Sequence, residues 1–398
     1  MPSSTMPPSV MSLTRRSMLV GTATLTLAGA GGATPALARP SSDNALLPRL
    51  GDDRVWRIGY AESMPYGNYT GTLASLVQGL EALTWLRGGA RMPYEAGQTD
   101  SQALWRWLSD HDLGARIRFV PDAWYGGLDH NPAEPILQRL ESSRDIDLMI
   151  VMGTLAGQRI GVERHKVPTL VFSTTNAVAA GIIASVEDTG HDHIWAHVDP
   201  QRFQRQLRIF HETFRFRRLG VAFEDSSAGR AIASVTDVEA MARPLGYEVV
   251  ANHVRAPAGP DDVERYYTDL ADAWSDLATR VDAMYITYGR WSLDRFATLV
   301  RIFQDRGIPT FSQLGPEEVE RGALMSVARA DFEGIGHFGA SVIARLINGE
   351  PLRRMPQTYF DTPTIAWNLA VAAKMNYRPA MSALLAADNI YTTIGTEQ

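Results

Sequence analysis

From Arg54 onward the chain alternates between two hydrophobic periods, and this alternation limits the folds open to it more than any other feature. Val55 to Tyr60 reads as a strand, after which Leu73, Leu76, Val77 and Leu80 recur at the spacing of an amphipathic helix. Arg116 to Val120, Asp147 to Met152, Thr169 to Ser173 and Ile194 to Val198 are further predicted strands with helical stretches between them. The rhythm then repeats, with strands at Leu219 to Phe223, Glu248 to Val254 and Ala283 to Thr287 and a helix from Arg230 to Leu245 stopped by Gly246. The clearest helix places Val263, Tyr266, Tyr267, Leu270, Trp274 and Leu277 on one face. A last one carries Leu293, Phe296, Val300 and Phe303 and ends at Gly307. Ile308 to Ser312 repeats the form of Val167 to Val171, a short apolar strand introduced through proline. Two such runs predict an α/β protein of two doubly wound parallel-sheet lobes, and 398 residues suffice for two cores.

Open parallel sheets bind ligands beyond the carboxyl ends of their strands, so the residues following each strand are the candidates for function. Tyr66, Asn68 and Tyr69 follow the first strand and offer two rings and an amide at a helix start. Thr154 lies in the small-residue turn Gly153 to Gly157, suited to close backbone approach. Thr174, Thr175 and Asn176 cluster hydroxyls and an amide at another strand end, where they either line a pocket or cap the next helix. In the second half, Glu224, Asp225, Ser226 and Arg230 surround a helix start, and Tyr288 with Arg290 pairs a ring with a guanidinium able to meet a carboxylate. For both groups the competing reading is a capped or solvated loop.

Catalytic and cofactor signatures are missing from the sequence. There is no GxSxG elbow, HExxH, P-loop lysine or GxGxxG spacing, so neither a cofactor nor an enzymatic activity is expected. His191, His193 and His197 alternate along one segment, but without a fourth ligand they make no metal site. With no cysteine there is no disulfide, thiol nucleophile or lipoprotein attachment point. A net charge of −6 without a basic run excludes nucleic acid as an expected partner.

The N-terminus adds a destination. Arg15 and Arg16 precede a weakly apolar run from Met18 to Ala30, and Ala36-Leu37-Ala38 supplies a small-residue cleavage pattern. Residues 1–38 are therefore expected to be a twin-arginine export signal and 39–53 a linker, with the mature chain in the periplasm.

The order of segments resembles the substrate-binding proteins of ABC importers with a type I periplasmic-binding fold, in the group that includes tryptophan- and tyrosine-type binding proteins. Ile150 to Gly157 and Val167 to Ile182 carry the resemblance, followed by Arg217 to Val221, Gly307 to Phe311, Arg321 to Leu324 and Trp367 to Ala372. It spans the chain from about Arg54 to the end. Where that family tends to have Thr-Asp-Pro, this chain has Thr175-Asn176-Ala177, which replaces a carboxylate with an amide. The resemblance implies three crossovers between the lobes, placed near Ala196, Gln313 and Pro356, so that 54–196 with 313–356 form one lobe and 197–312 with 357–398 the other. It further implies a monomer that closes on a small polar or zwitterionic solute, an aromatic amino acid among the candidates, and delivers it to an ABC permease in the inner membrane. A periplasmic sensor module and, less favoured, an exported enzyme are the alternatives.

Overall fold

The computed structural model describes residues 46–49, 54–88, 91–257, 259–329, 332–360 and 363–395. The expected export signal and most of the expected linker lie outside these residues. The first lobe opens with β1 (Trp56–Glu62), α1 (Gly67–Ala82), α2 (Ser101–Asp110), β2 (Ile117–Tyr125) and α3 (Glu134–Ser142). It continues through β3 (Leu148–Met152), α4 (Thr154–Ile160), β4 (Thr169–Phe172) and β5 (Ile194–Ala196). All of its strand pairs are parallel, in the order β2-β1-β3-β4-β5. The two faces of this sheet have separate cores. Ile58, Tyr60, Leu148, Ile150 and Met152 point to the α1 side, while Ala61, Met149 and Val151 point to the other, as a period of two requires.

The second lobe contains α5 (Arg202–Phe214), β6 (Arg218–Glu224), α6 (Ser227–Ile232), α7 (Val235–Leu245), β7 (Glu248–Val254) and α8 (Val263–Leu277). There follow β8 (Ala283–Ile286), α9 (Leu293–Leu299), α10 (Arg301–Gln304), β9 (Thr310–Ser312), α11 (Pro316–Glu320) and β10 (Met325–Arg329). The chain returns to the first lobe as α12 (Phe332–Ile347). It ends in the second with β11 (Pro363–Asn368), α13 (Leu369–Lys374), α14 (Met381–Leu385) and β12 (Asn389–Tyr391). The sheet order here is β12-β11-β10-β9-β8-β6-β7, parallel except where β11 runs against β10.

Two differences from the sequence reading matter for the site. The expected crossover at Gln313 does not occur there: β9 pairs with β8, β10 pairs with β9, and the chain changes lobe only between Arg329 and Phe332. Residues 313–329 therefore belong with the second sheet. The expected helix from Arg230 to Leu245 is two helices, because Ser234 adopts the left-handed conformation at φ +52°. Its buried hydroxyl accepts a hydrogen bond from Gln313 Nε2 at 3.2 Å, which turns the chain toward the region between the lobes.

The first and last crossovers run side by side. Val198 bridges Thr358, Val198 N–H donates to the Gln357 carbonyl at 2.9 Å, and the Trp195 indole donates to the Pro356 carbonyl at 3.0 Å. What fixes α12 to the first lobe is a seam of glycines against α1. A Cβ on Gly336 would lie 2.4 Å from the Ser75 carbonyl carbon and 2.5 Å from Leu76 N, and one on Gly79 would lie 2.7 Å from the Ala340 Cβ. Backbone atoms at such distances cannot yield as a side chain can. Gly336→Ala is expected to destabilise the protein by about 1–3 kcal/mol, read as a lowered thermal midpoint. Gly88→Ala, a control with no atom within 4 Å of the new Cβ, should leave the midpoint unchanged.

Candidate ligand-binding site

Both sheets aim the carboxyl ends of their strands at the same gap. In the first sheet the strand order reverses between β1 and β3, and in the second between β6 and β8, so each supplies a crevice at that edge. A cavity partly open to solvent occupies the space between the two sheets, where ligands of such folds bind. From the first lobe it is lined by Ser63, Met64, Tyr66, Asn68 and Tyr69 after β1, by Thr154 and Leu155 after β3, and by Ser173, Thr174 and Thr175 after β4. The second lobe contributes Arg202 and Phe203 of α5, Ile232, Tyr288, Gln313 and Leu314, and Phe332 stands at the second crossover.

The local chain explains the wall. Gly153 sits at φ +94°, and any Cβ there would be 2.2 Å from the Tyr69 hydroxyl and 2.6 Å from Ser63 Oγ. Glycine thus lets both hydroxyls close on the α4 start, where Ser63 Oγ accepts from Ala156 N–H at 2.9 Å. Thr154 Oγ1 accepts from Thr175 N–H at 3.2 Å, tying the β3 and β4 loops together. Tyr66 and Tyr69 meet edge to face with centroids 5.3 Å apart, and burial raises the pKa of both, so their hydroxyls stay protonated donors. Tyr288 reaches from the second lobe to touch the Met64 sulfur of the first.

Of the residues singled out in the sequence, Tyr66, Asn68, Tyr69, Thr154, Thr174, Thr175 and Tyr288 line the cavity. The others are not among its lining residues. Asn176 caps the turn at Ala179 with its side-chain oxygen and hydrogen-bonds Asp237 of the second lobe. Asp225 is solvent-exposed near His253, Ser226 caps α6 by accepting from Gly229 N–H at 2.9 Å, and Arg230 pairs with Glu239. Short polar side chains at helix starts satisfy orphan backbone groups first, which is why this loop turns inward on itself. Glu224 and Arg290 do come together, but with a third residue that the sequence did not indicate. Arg290 Nε donates to Glu224 at 2.6 Å and Nη1 to Asp129 of the first lobe at 2.9 Å, with side chains 14%, 15% and 5% exposed respectively. Burial works against the Arg290 charge, yet the two carboxylates outweigh it and its pKa is raised. Asp129 is presented by a loop clamped to β1 through Leu128 N–H to the Glu62 carbonyl and Asp129 N–H to the Ser63 carbonyl.

The sequence pattern did not single out Arg202, Phe203, Ile232 or Phe332. Phe203, Leu207 and Phe210 are buried at helical spacing, which marks α5 but not its approach to the gap. The histidines do not converge either: His191 meets Glu163, His193 the Val162 carbonyl and His197 the Tyr359 carbonyl. His191 and His193 precede the short β5 and His197 follows it, and among the described residues no group of three or more His, Cys, Asp or Glu is placed to hold a metal.

A family model described as ABC transporter substrate binding protein matches residues 128–389. The chain belongs to this family. Substrate-binding proteins of this kind are a non-enzymatic class. A tyrosine-binding protein of Clostridioides difficile is 20% identical over 249 residues, covering 61% of this chain, and the chain spans 66% of the length of that relative. An ABC domain from Streptococcus pneumonia in complex with L-Trp superposes with a TM-score of 0.60 at 17% identity, covering 84% of this chain and 99% of that one. The ligand-free, open structure of a substrate-binding protein with adhesive properties from Clostridium difficile gives 0.59 at 18% identity, covering 85% and 100%. At such identities the superpositions carry the fold, which is the type I periplasmic-binding architecture.

Two predictions follow from the geometry of this family member. Asp129→Asn leaves Arg290 half paired at the only described ion pair between the cavity rims, and is expected to cost the closed arrangement about 1–3 kcal/mol. A larger radius of gyration by solution scattering, with an unchanged thermal midpoint, is the outcome to look for. Beneath Ser63, burial pushes the Glu62 carboxyl up to about 7 despite hydrogen bonds from Tyr60 and Ser101. The folded state therefore holds this proton more tightly than the unfolded chain, and stability is lost as pH rises from the ordinary carboxylate range through about 7. Relative to Glu62→Gln, the native protein should lose on the order of 3 kcal/mol across that window, measured by parallel melts at pH 5 and pH 8.

Proposed function

We propose that this protein captures a small aromatic, amino-acid-like solute between its lobes and delivers it to an ABC permease of the inner membrane. The observation that carries the reading is the make-up of the cavity. Tyr66, Tyr69, Tyr288, Phe203 and Phe332 offer ring faces and edges, while Ser63, Asn68, Thr154, Thr174, Thr175 and Gln313 offer polar groups to orient a planar molecule. The L-Trp complex and the tyrosine-binding relative point the same way. Binding is the whole of the mechanism. The solute touches both lobes, so it adds its contacts only when they are together and thereby draws the equilibrium toward closure. The closed pair of lobes, rather than either alone, is the surface a permease recognises.

The arginine pair at residues 15 and 16 supports export by the twin-arginine route to the periplasm, where such a protein acts as a monomer. Ligand contacts are assigned to Tyr66, Asn68, Tyr69, Thr154, Thr174, Thr175 and Tyr288. Asn176 and Ser226 are assigned to capping, Glu224 and Arg290 to holding the lobes, and Asp225 and Arg230 to the solvated outer surface of the second lobe.

Isothermal titration with L-tyrosine, L-tryptophan and L-phenylalanine, against L-leucine and L-lysine as controls, tests this reading. Heat from one or more aromatic amino acids and none from lysine is expected, and Tyr66→Ala should weaken that binding by about 10- to 100-fold with the fold intact. Silence from every aromatic ligand, with the protein confirmed empty by denaturing mass spectrometry, would overturn it.

A further inference from the structure

Asp129 and Arg290 hold the lobes at one flank of the cavity, and a different set of side chains meets at the other. Asp129 follows β2 and Asn176 follows β4, while β1 and β3, which lead to Tyr66 and Thr154 of the cavity wall, run between them in the sheet. Asn176 hydrogen-bonds Asp237, a residue of the first turn of α7, and Gln204 of α5 donates to the same carboxyl through Nε2 at 3.2 Å. Resting on the reading of solute capture between two lobes given above, we infer that Asn176, Asp237 and Gln204 form a latch that holds the lobes together at this flank and so sets the affinity of the site for any solute. All three act as positioning residues, outside the lining of the cavity.

The chemistry of the amide explains why asparagine suits this position. Its side-chain oxygen accepts from Ala179 N–H at 2.9 Å, and its backbone carbonyl accepts from Ala180 N–H at 2.9 Å, so the turn leaves the side-chain NH2 group to donate to the second lobe. Gln158 of α4 braces the same turn by donating to the Ala180 carbonyl at 2.8 Å. Asp237 is presented as firmly, because its N–H donates at 3.0 Å to the carbonyl of Ser234, the left-handed residue between α6 and α7. Asp237 is buried, which raises the pKa of its carboxyl, and the hydrogen bonds from Gln204 and Asn176 oppose that rise, as donors to a charged group do. Apolar packing seats the pair: Ala231 of α6, in the second lobe, packs into the same core as Ala177 and Ala180 of the first. When the lobes part, Gln204 stays with Asp237, whereas the bond from Asn176 is made only on closure. An aspartate at 176 would still cap the turn, but it would set a second negative charge against Asp237 in place of a donor.

Exchanging the two groups tests the latch. Titration calorimetry with L-tyrosine and L-tryptophan, and solution scattering of the solute-free protein, are run on the unaltered chain, Asn176→Asp, Asp237→Asn and the double variant, at a mildly alkaline pH where both carboxyls are ionised. Asn176→Asp is expected to weaken both solutes by a common factor of about 10 to 100 and to enlarge the radius of gyration. Asp237→Asn, which keeps a neutral acceptor for Asn176, should cost less than about threefold. The double variant, with amide and carboxyl on exchanged sides, should return to within about threefold of the unaltered chain, a recovery that a merely structural role for either residue does not produce. Capping alone predicts no change in Asn176→Asp, since aspartate and asparagine cap equally well, and that result overturns the latch. So does a double variant no better than Asn176→Asp, which would place the loss in the turn. Where aromatic solutes bind, this affinity cycle decides. If no aromatic amino acid gives heat while the radius still follows the exchanged pair, the latch stands and the proposed solute falls; if neither responds, both fall.

Discussion

Two helices can approach within backbone contact only where one of them lacks side chains, and the contact of α1 with α12 is built on that constraint. Gly336 faces the Ser75 and Leu76 backbone, and Gly79 faces Ala340 and His337. This contact brings a segment more than 250 residues distant in sequence back onto the first sheet, where Ile335, Ile343 and Ile347 complete the core over Tyr60, Leu73 and Leu76. The second and third crossovers leave from the two ends of α12, so their positions follow from the seam. Phe332 reaches the cavity wall for the same reason.

How much of this was legible depends on the kind of signal each element carries. A parallel strand buried on both faces is a continuous apolar run, and Leu148–Met152 is one; α8 shows its stripe because Tyr266, Leu270 and Trp274 face a core while the residues between face water. The loops that build the cavity were visible for a related reason, since parallel sheets leave only one edge for ligands. Other features depend on contacts between distant parts of the chain. The second crossover was misplaced because β10 and the antiparallel β11 extend the sheet without the strand-helix rhythm that marked the rest. Ile232 reaches the cavity through the left-handed turn at Ser234, and no hydrophobic period announces a single residue of that kind.

The second-lobe loop from Glu224 to Arg230 shows why residue type alone overreads a strand end. Acids and an arginine beside a helix start can hold a ligand, but they also have backbone donors, neighbouring charges and an opposing lobe to satisfy. Here Ser226 serves the helix, Arg230 serves Glu239, and Glu224 serves Arg290, leaving the cavity wall to tyrosines, threonines and one guanidinium. Asn176 fits the same pattern, since its amide is engaged by a turn and by Asp237 rather than by the cavity.

Arg290 and Asp129 join the lobes from outside the lining of the cavity. A contact of that kind cannot tell one solute from another: strengthening or weakening it multiplies every dissociation constant by a common factor and preserves their order. Sensitivity and selectivity are thus written on different residues. Changes at the rim alone can therefore raise or lower affinity for every solute together, while the cavity wall keeps their order of preference.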